Sequence, residues 1–211
     1  MLPGSCEMQA ERPSDSLAYS GRIETVWGGS SYHWSMEILR LHPDEVARFR
    51  TLRMRALRDA PDSFGTTLED ANAWSPERWS TLFSGLLAFV AVADAQDVGL
   101  VRAAPDLDVQ GAARLGSLWV APRARGKGVG SALVDAVVEW ARAEGFDEIL
   151  LDVADGNRSA IRLYEMLGFV PTGRRTAFPP PREHLGRHQR RLKLQGRAAD
   201  RLGKVGRPPE P

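Results

Sequence analysis

The sequence predicts a single α/β domain of about 160 residues with an extension at each end. Three observations carry that prediction. Short β-like apolar runs alternate along the chain with segments whose apolar residues recur every three or four positions, the pattern of an amphipathic helix. A run at Leu115–Val120 feeds a glycine-rich turn that opens a long helical segment. The composition, 43% hydrophobic and 26% charged over 211 residues, suits a globular chain able to bury a core without disulfides.

Residues 1–35 are rich in Gly, Ser and polar side chains, lack a period and read as a flexible extension. Glu37–Leu41 alternates as a short strand. His42-Pro43-Asp44-Glu45 places proline at a first helical position with acids behind it, which predicts a helix start there. Val46, Phe49, Leu52, Ala56 and Leu57 form its apolar face, and Pro61 stops it. Ser75-Pro76-Glu77 starts a second helix with Trp79, Leu82 and Phe83. Leu86–Ala93 and Val98–Ala103 read as strands joined through Asp94–Asp97. After the Leu115–Val120 strand and the Pro122–Gly130 loop, Val129–Glu144 is a strong amphipathic helix with Gly145 just past its end. Glu148–Val153 is a strand and Asn157–Leu167 a helix; Phe169–Arg174 and Gln189–Leu194 read as two closing strands. Residues 195–211 are polar with Gly, Arg and Pro, a flexible tail, so the domain spans 36–194.

Several classes are excluded at this point. Cys6 is the single cysteine, and His33, His42, His184 and His188 are scattered, so neither a disulfide framework nor metal-ligand spacing is present. Leu86–Ala93 is too short to cross a bilayer, and Met1–Ser20 carries acids and no apolar run. The expected location is cytoplasmic by default, with no membrane partner. The net charge of +1 hides a division: from Pro171 onward there are eleven Lys/Arg against three Asp/Glu. A basic end raises nucleic acid as a partner. No nucleic-acid-binding motif accompanies it, and seven of those bases, Arg174–Lys193, fall inside the domain, so no nucleic acid is expected.

The most informative segment is Leu118–Ser131, a strand running into a basic glycine-rich turn that opens a helix. Unpaired N–H groups and the positive dipole end at a helix start attract anions, and glycines let the backbone approach closely, so the site should bind phosphate. A P-loop fails on Ala121 and Gly128, which stand where it needs Gly and Ser/Thr. The dinucleotide fingerprint fails because Gly126-Lys127-Gly128-Val129-Gly130 is G-x-G-x-G, one residue short of the G-x-G-x-x-G spacing. A plain helix cap would not need three alternating glycines with flanking bases.

Arg125-Gly126-Lys127-Gly128-Val129-Gly130 matches the (Gln/Arg)-x-x-Gly-x-(Gly/Ala) signature of the GCN5-related N-acetyltransferases. Asn157, Ala160, Tyr164, Gly168 and Phe169 resemble the family's N-x-x-A-x-x-x-Y-x-x-x-G-F element, in the family's order and spacing. The resemblance covers roughly Met36–Leu194. It implies a mixed, mostly antiparallel sheet with helices on both faces, its fourth strand splayed from the fifth, and acetyl-CoA as cosubstrate in the gap. On that reading Leu118 and Val120 supply backbone contacts to the pantetheine. The amides of Arg125, Gly126, Lys127, Gly128, Val129, Gly130 and Ser131 hold the pyrophosphate, and Asn157 contacts the cofactor or caps its helix, or both. Arg123, Arg125 and Lys127 could add charge around the phosphates.

The resemblance makes Tyr164 the general acid that protonates the leaving thiolate; otherwise it is a core tyrosine with its hydroxyl at the boundary. Many relatives carry a glutamate on the fourth strand, but 113–134 contains no acid. Asp152, Glu69 and Asp70 remain as base candidates, each readable as structural, and a base is dispensable if the free amine arrives. Phe64, Glu69, Trp74 and Trp79 would stand near an acceptor pocket or simply pack the helices; Thr176–His188 would form its opposite wall. The expected function is N-acetyl transfer, without metal, to a primary amine on a small molecule or peptide. Transfer is direct within a ternary complex, because Cys6 lies outside the domain and offers no acyl-enzyme. A homodimer is compatible with this reading. The rival reading is a non-catalytic acyl-CoA-binding regulatory module.

Overall fold

The computed structural model describes residues 35–180 and 182–194. Residues 1–34 of the expected extension, the 195–211 tail and Cys6 lie outside the described residues. Among the described residues seven strands form one sheet: β1 (Met36–Arg40), β2 (Leu87–Ala93), β3 (Gln96–Pro105), β4 (Ala112–Val120), β5 (Glu148–Ala154), β6 (Val170–Ala177) and β7 (Gly186–Lys193). Their order across the sheet is β1-β2-β3-β4-β5-β7-β6. Every neighbouring pair is antiparallel except β4 and β5, which are parallel. The mixed, mostly antiparallel sheet implied by the sequence is the one observed.

Five helices cover the sheet: α1 (Val46–Asp59), α2 (Leu68–Ala73), α3 (Pro76–Ser84), α4 (Val129–Ala143) and α5 (Arg158–Met166). The apolar stripe of α4 is buried on β2, β3 and β4, with Leu133 and Val137 fully enclosed. Each such side chain contributes about 1.5–3 kcal/mol on burial. Gly99 lets the helix lie close: a Cβ there would stand 2.8 Å from Leu133 Cδ1. Strand alternation turns Leu100 and Arg102 to the opposite face, where α1 packs on β3 and β4. Phe49 of α1 meets Phe83 and Trp79 of α3 at ring separations of 5.0 and 6.3 Å. Trp74 lies 4.9 Å from Trp79, so both tryptophans pack the helices together.

Several local features differ from the sequence expectation; β4 starts at Ala112 rather than Leu115, β6 runs to Ala177 rather than Arg174, and β7 starts at Gly186 rather than Gln189. The first helix begins at Val46, not Pro43, because His42–Glu45 closes a turn in which Glu45 Oε2 accepts from the His42 N–H at 2.8 Å. Helix α2 was not expected. Thr67 and Asp70 form a reciprocal capping box, but only six residues follow, too few to display an apolar period. The β2–β3 turn is tighter than Asp94–Asp97: Asp94 and Ala95 alone make it, at φ 50° and 56°.

Candidate functional site

The sheet opens where β4 meets β5. The two strands pair only from Ala112–Arg114 to Glu148–Leu150, and then run on without pairing to Val120 and Ala154. A bulge lies just past the last pair: β4 gains a residue against β3 between Gly116 and Trp119, and Ser117 takes φ 55°. A bulge bends its strand and sharpens the twist, which carries β4 away from β5. The opening is a cleft of about 570 Å³.

Nine of the ten residues expected at the cofactor line this cleft: Leu118, Val120, Arg125, Gly126, Gly128, Val129, Gly130, Ser131 and Asn157. Lys127 is exposed and lies outside the lining, as does Tyr164. The three glycines have two different reasons. Gly126 and Gly128 sit at φ 74° and 81°, and a Cβ on either would meet nothing within 4 Å, so the backbone conformation demands glycine there. Gly128 is also the N-cap of α4 and has no side chain to cap with, so no N-cap side chain takes the first amides of the helix, whose residues Val129, Gly130 and Ser131 line the cleft. Gly130 lies in regular helix; a Cβ would stand 3.0 Å from Leu163 Cδ2, so this glycine sets the approach of α4 to α5.

Arg125 lines the cleft, but its guanidinium is engaged by protein groups. Arg125 donates from Nε to the Val120 carbonyl at 3.0 Å and pairs through Nη2 with Asp59, the last residue of α1. Asp59 also accepts from Trp119 Nε1 at 2.9 Å. This carboxylate therefore ties α1 to the end of β4, a role that nothing local in the sequence signals. Arg123 is exposed.

Asn157 caps α5, its Oδ1 accepting from Ala160 N–H at 3.1 Å, while its Nδ2 donates to Ser63 Oγ at 3.1 Å. The cap thus also anchors the segment after α1, from which Ala60, Ser63 and Phe64 join the cleft wall. Tyr164 is 5% exposed, with its ring 5.5 Å from Phe169. It lies one turn beyond the cleft-lining Ala160 on the same helix face. Burial pushes its hydroxyl well above the ordinary tyrosine range, so it holds its proton.

Two of the base candidates, Asp152 and Asp70, are otherwise engaged. Asp152 accepts from Arg114 Nη1 at 2.8 Å. Hydrogen bonds from the Thr67 hydroxyl and backbone hold the Asp70 carboxyl below the usual range, and Asp70 and Glu69 are both exposed on α2. The β6–β7 loop does reach the α1–α2 segment: Arg182 donates to the carbonyls of Pro61 at 2.5 Å and Gly65 at 2.9 Å. Among the described residues no cluster of three or more His, Cys, Asp or Glu could hold a metal, and no helix is long and apolar enough to cross a membrane.

Residues 50–169 match the family model described as Acetyltransferase (GNAT) family. The chain is 34% identical over 131 residues to a mycothiol acetyltransferase of Thermobispora bispora, covering 60% of this chain and 43% of that protein. It is 37% identical over 92 residues to human N-acetyltransferase 8B, covering 42% of this chain and 40% of that one. The chain thus spans less than half the length of either relative. Among solved structures, a Salmonella typhimurium protein determined with its cofactor acetyl-CoA superposes with TM-score 0.63 at 19% identity, over 78% of this chain and 96% of that one.

Proposed function

The chain belongs to the GNAT acetyltransferase family, and from that premise we propose that it moves the acetyl group of acetyl-CoA directly onto a primary amine of a small molecule or peptide. The observation that carries the proposal is the junction itself. Two parallel strands part at Arg114, and the gap leads straight onto a glycine-capped helix start. The edge of β4 that faces away from β3 offers N–H and C=O groups at Leu118, and at Val120 an N–H beside the carbonyl that Arg125 holds, to an extended amide chain, as a pantetheine is. The amides of residues 125–131 offer anion contacts to a pyrophosphate. In this reading the loop binds through its backbone, and the Arg125 side chain braces β4 against Asp59.

The neutral amine attacks the thioester carbonyl, a tetrahedral oxyanion forms, and the carbon–sulfur bond breaks as the thiolate leaves. Tyr164 donates its proton, or a hydrogen bond, to that sulfur. The burial that keeps it protonated also makes it a weaker acid, so it acts only where negative charge has built up on sulfur. Holding the amine against the carbonyl supplies much of the remaining acceleration, because orientation alone is worth orders of magnitude. No described residue of β4 is a carboxylate; an amine that arrives neutral needs none in order to attack, and the proton its nitrogen sheds as the amide forms passes to water, which returns one to Tyr164.

The test is acetyl-CoA turnover against a panel of amines, read by release of free thiol and by mass spectrometry of the product. Acetylated amine formed in step with thiol supports the proposal. Acetyl-CoA binding with no transfer to any amine would instead favour a non-catalytic acyl-CoA-binding module.

A further inference from the structure

The α1-bearing face of the sheet carries cations without counter-ions. Arg53, on α1, is 8% exposed, and its Nη1 is enclosed with no hydrogen-bond partner. Its guanidinium stacks on the Phe64 ring at 4.4 Å, and Phe64 lines the cleft. Beyond it on β3 is Arg102, whose guanidinium lies over Gly116 of β4; a Cβ at 116 would come within 3.2 Å of Arg102 Nε. Among the described residues neither Arg53 nor Arg102 pairs with any carboxylate. The nearby carboxylates are taken: Asp106 and Asp152 both pair with Arg114.

A buried charge without a partner is costly, and so is a buried donor without an acceptor. Burial, together with repulsion from Arg102, pushes the Arg53 guanidinium down to about 9, still charged at neutral pH. The chain could have placed Leu or Met on this buried stripe and gained stability. It instead sets one guanidinium against Phe64 and a second beside Gly116 of β4, the strand that runs on to Leu118 and Val120. Guanidinium is the group of choice for planar, bidentate capture of carboxylate or phosphate.

We propose that the acceptor is an amine bearing an anionic group, a carboxylate or a phosphate, and that Arg53 and Arg102 bind that group at the α1 side of the cleft. The inference rests on the acetyl-transfer reading. It runs against a polycationic acceptor, which would meet these arginines as like charges. The anion supplies the counter-ion the fold lacks and fixes where the amine stands relative to the thioester.

The experiment compares matched acceptors differing only in the anion: L-amino acids against their methyl esters, and phosphoethanolamine against ethanolamine. The charged member of at least one pair should be preferred in kcat/KM by about tenfold or more, the size of a lost charge-assisted hydrogen bond, and the two pairs separate carboxylate from phosphate. Arg53→Met should collapse that preference mainly through KM, with acetyl-CoA binding retained and a melting temperature at or above that of the parent. Arg102→Met, at a less buried position, should lower the same ratio and serves if the first variant fails to fold. Equal or better use of the uncharged members, or a preference that survives both substitutions, would overturn the inference and leave acetyl transfer standing. Acetyl-CoA binding with no amine acetylated at all would overturn the acetyl-transfer reading, and this inference with it.

Discussion

The two sides of the β4–β5 opening are built by different means. On the α4–α5 side, the wall comes from two short contiguous stretches, 118–131 and 157–166, with glycines at 126, 128 and 130 that leave the backbone uncovered by side chains there. On the α1 side, the wall is the segment after α1, with Ala60, Ser63 and Phe64, and it is held by side chains from distant elements: Arg182 to Pro61, Asn157 to Ser63 and Arg53 on the Phe64 ring. A backbone site binds what every member of a family shares. A side-chain site can change with a few substitutions and so carries specificity. Damage on the first side should therefore lower turnover of every acceptor alike, and damage on the second should reorder acceptors.

The largest effect expected on the shared side is chemical. Tyr164→Phe should lower kcat by about a hundredfold, at the lower end for a general acid, with every acceptor affected equally. Single-turnover kinetics across two unrelated amines checks this, and full activity where chemistry limits turnover would remove Tyr164 from the mechanism. Next, Gly128→Val forces a β-branched residue into φ 81°, with about 1–2 kcal/mol of strain at the helix start. Calorimetry should show acetyl-CoA affinity falling by roughly tenfold. Because a Cβ there meets no atom within 4 Å, the sheet and core should stay intact.

Asn157 lies between the two sides and separates them. Asn157→Ala removes both the α5 cap and the Ser63 tether and should cost about 1–2 kcal/mol in denaturant melts. Asn157→Asp keeps the cap acceptor and loses only the donor to Ser63, so it should recover most of that loss. Equal losses in the two variants would show that the tether, not the cap, dominates. The smallest effect is expected at Arg125→Gln. Its side chain is 51% exposed and directed to Asp59, so acetyl-CoA affinity should change by less than about threefold. A tenfold loss would mean that this guanidinium turns to the phosphates once the cofactor is bound.

The same division explains what could be read in advance. The glycine turn and the Asn157–Phe169 element are local, so their spacing carried the family resemblance, and the resemblance implied a cleft on the α4–α5 side. The sheet was legible because β2 is a nearly continuous buried run and β3 and β5 each carry a shorter one, Val98–Val101 and Ile149–Leu151. Helix α2 was missed because its only signal is the capping pair Thr67 and Asp70 ahead of six residues. The role of Asp59 was invisible because its partners Trp119 and Arg125 lie far along the chain. Arg53 did leave a trace. It falls four residues after Phe49 and four before Leu57, on the buried stripe of α1, where a cation interrupts an otherwise apolar face.

Amide hydrogen exchange with and without acetyl-CoA tests the central claim most directly, because it reads the backbone wall itself. The account predicts protection concentrated at the amides of residues 125–131 and along 118–120, with the α1 and β3 amides little changed until an acceptor is added. Saturating acetyl-CoA that leaves 125–131 exchanging as freely as before, or that protects a different surface, would contradict it.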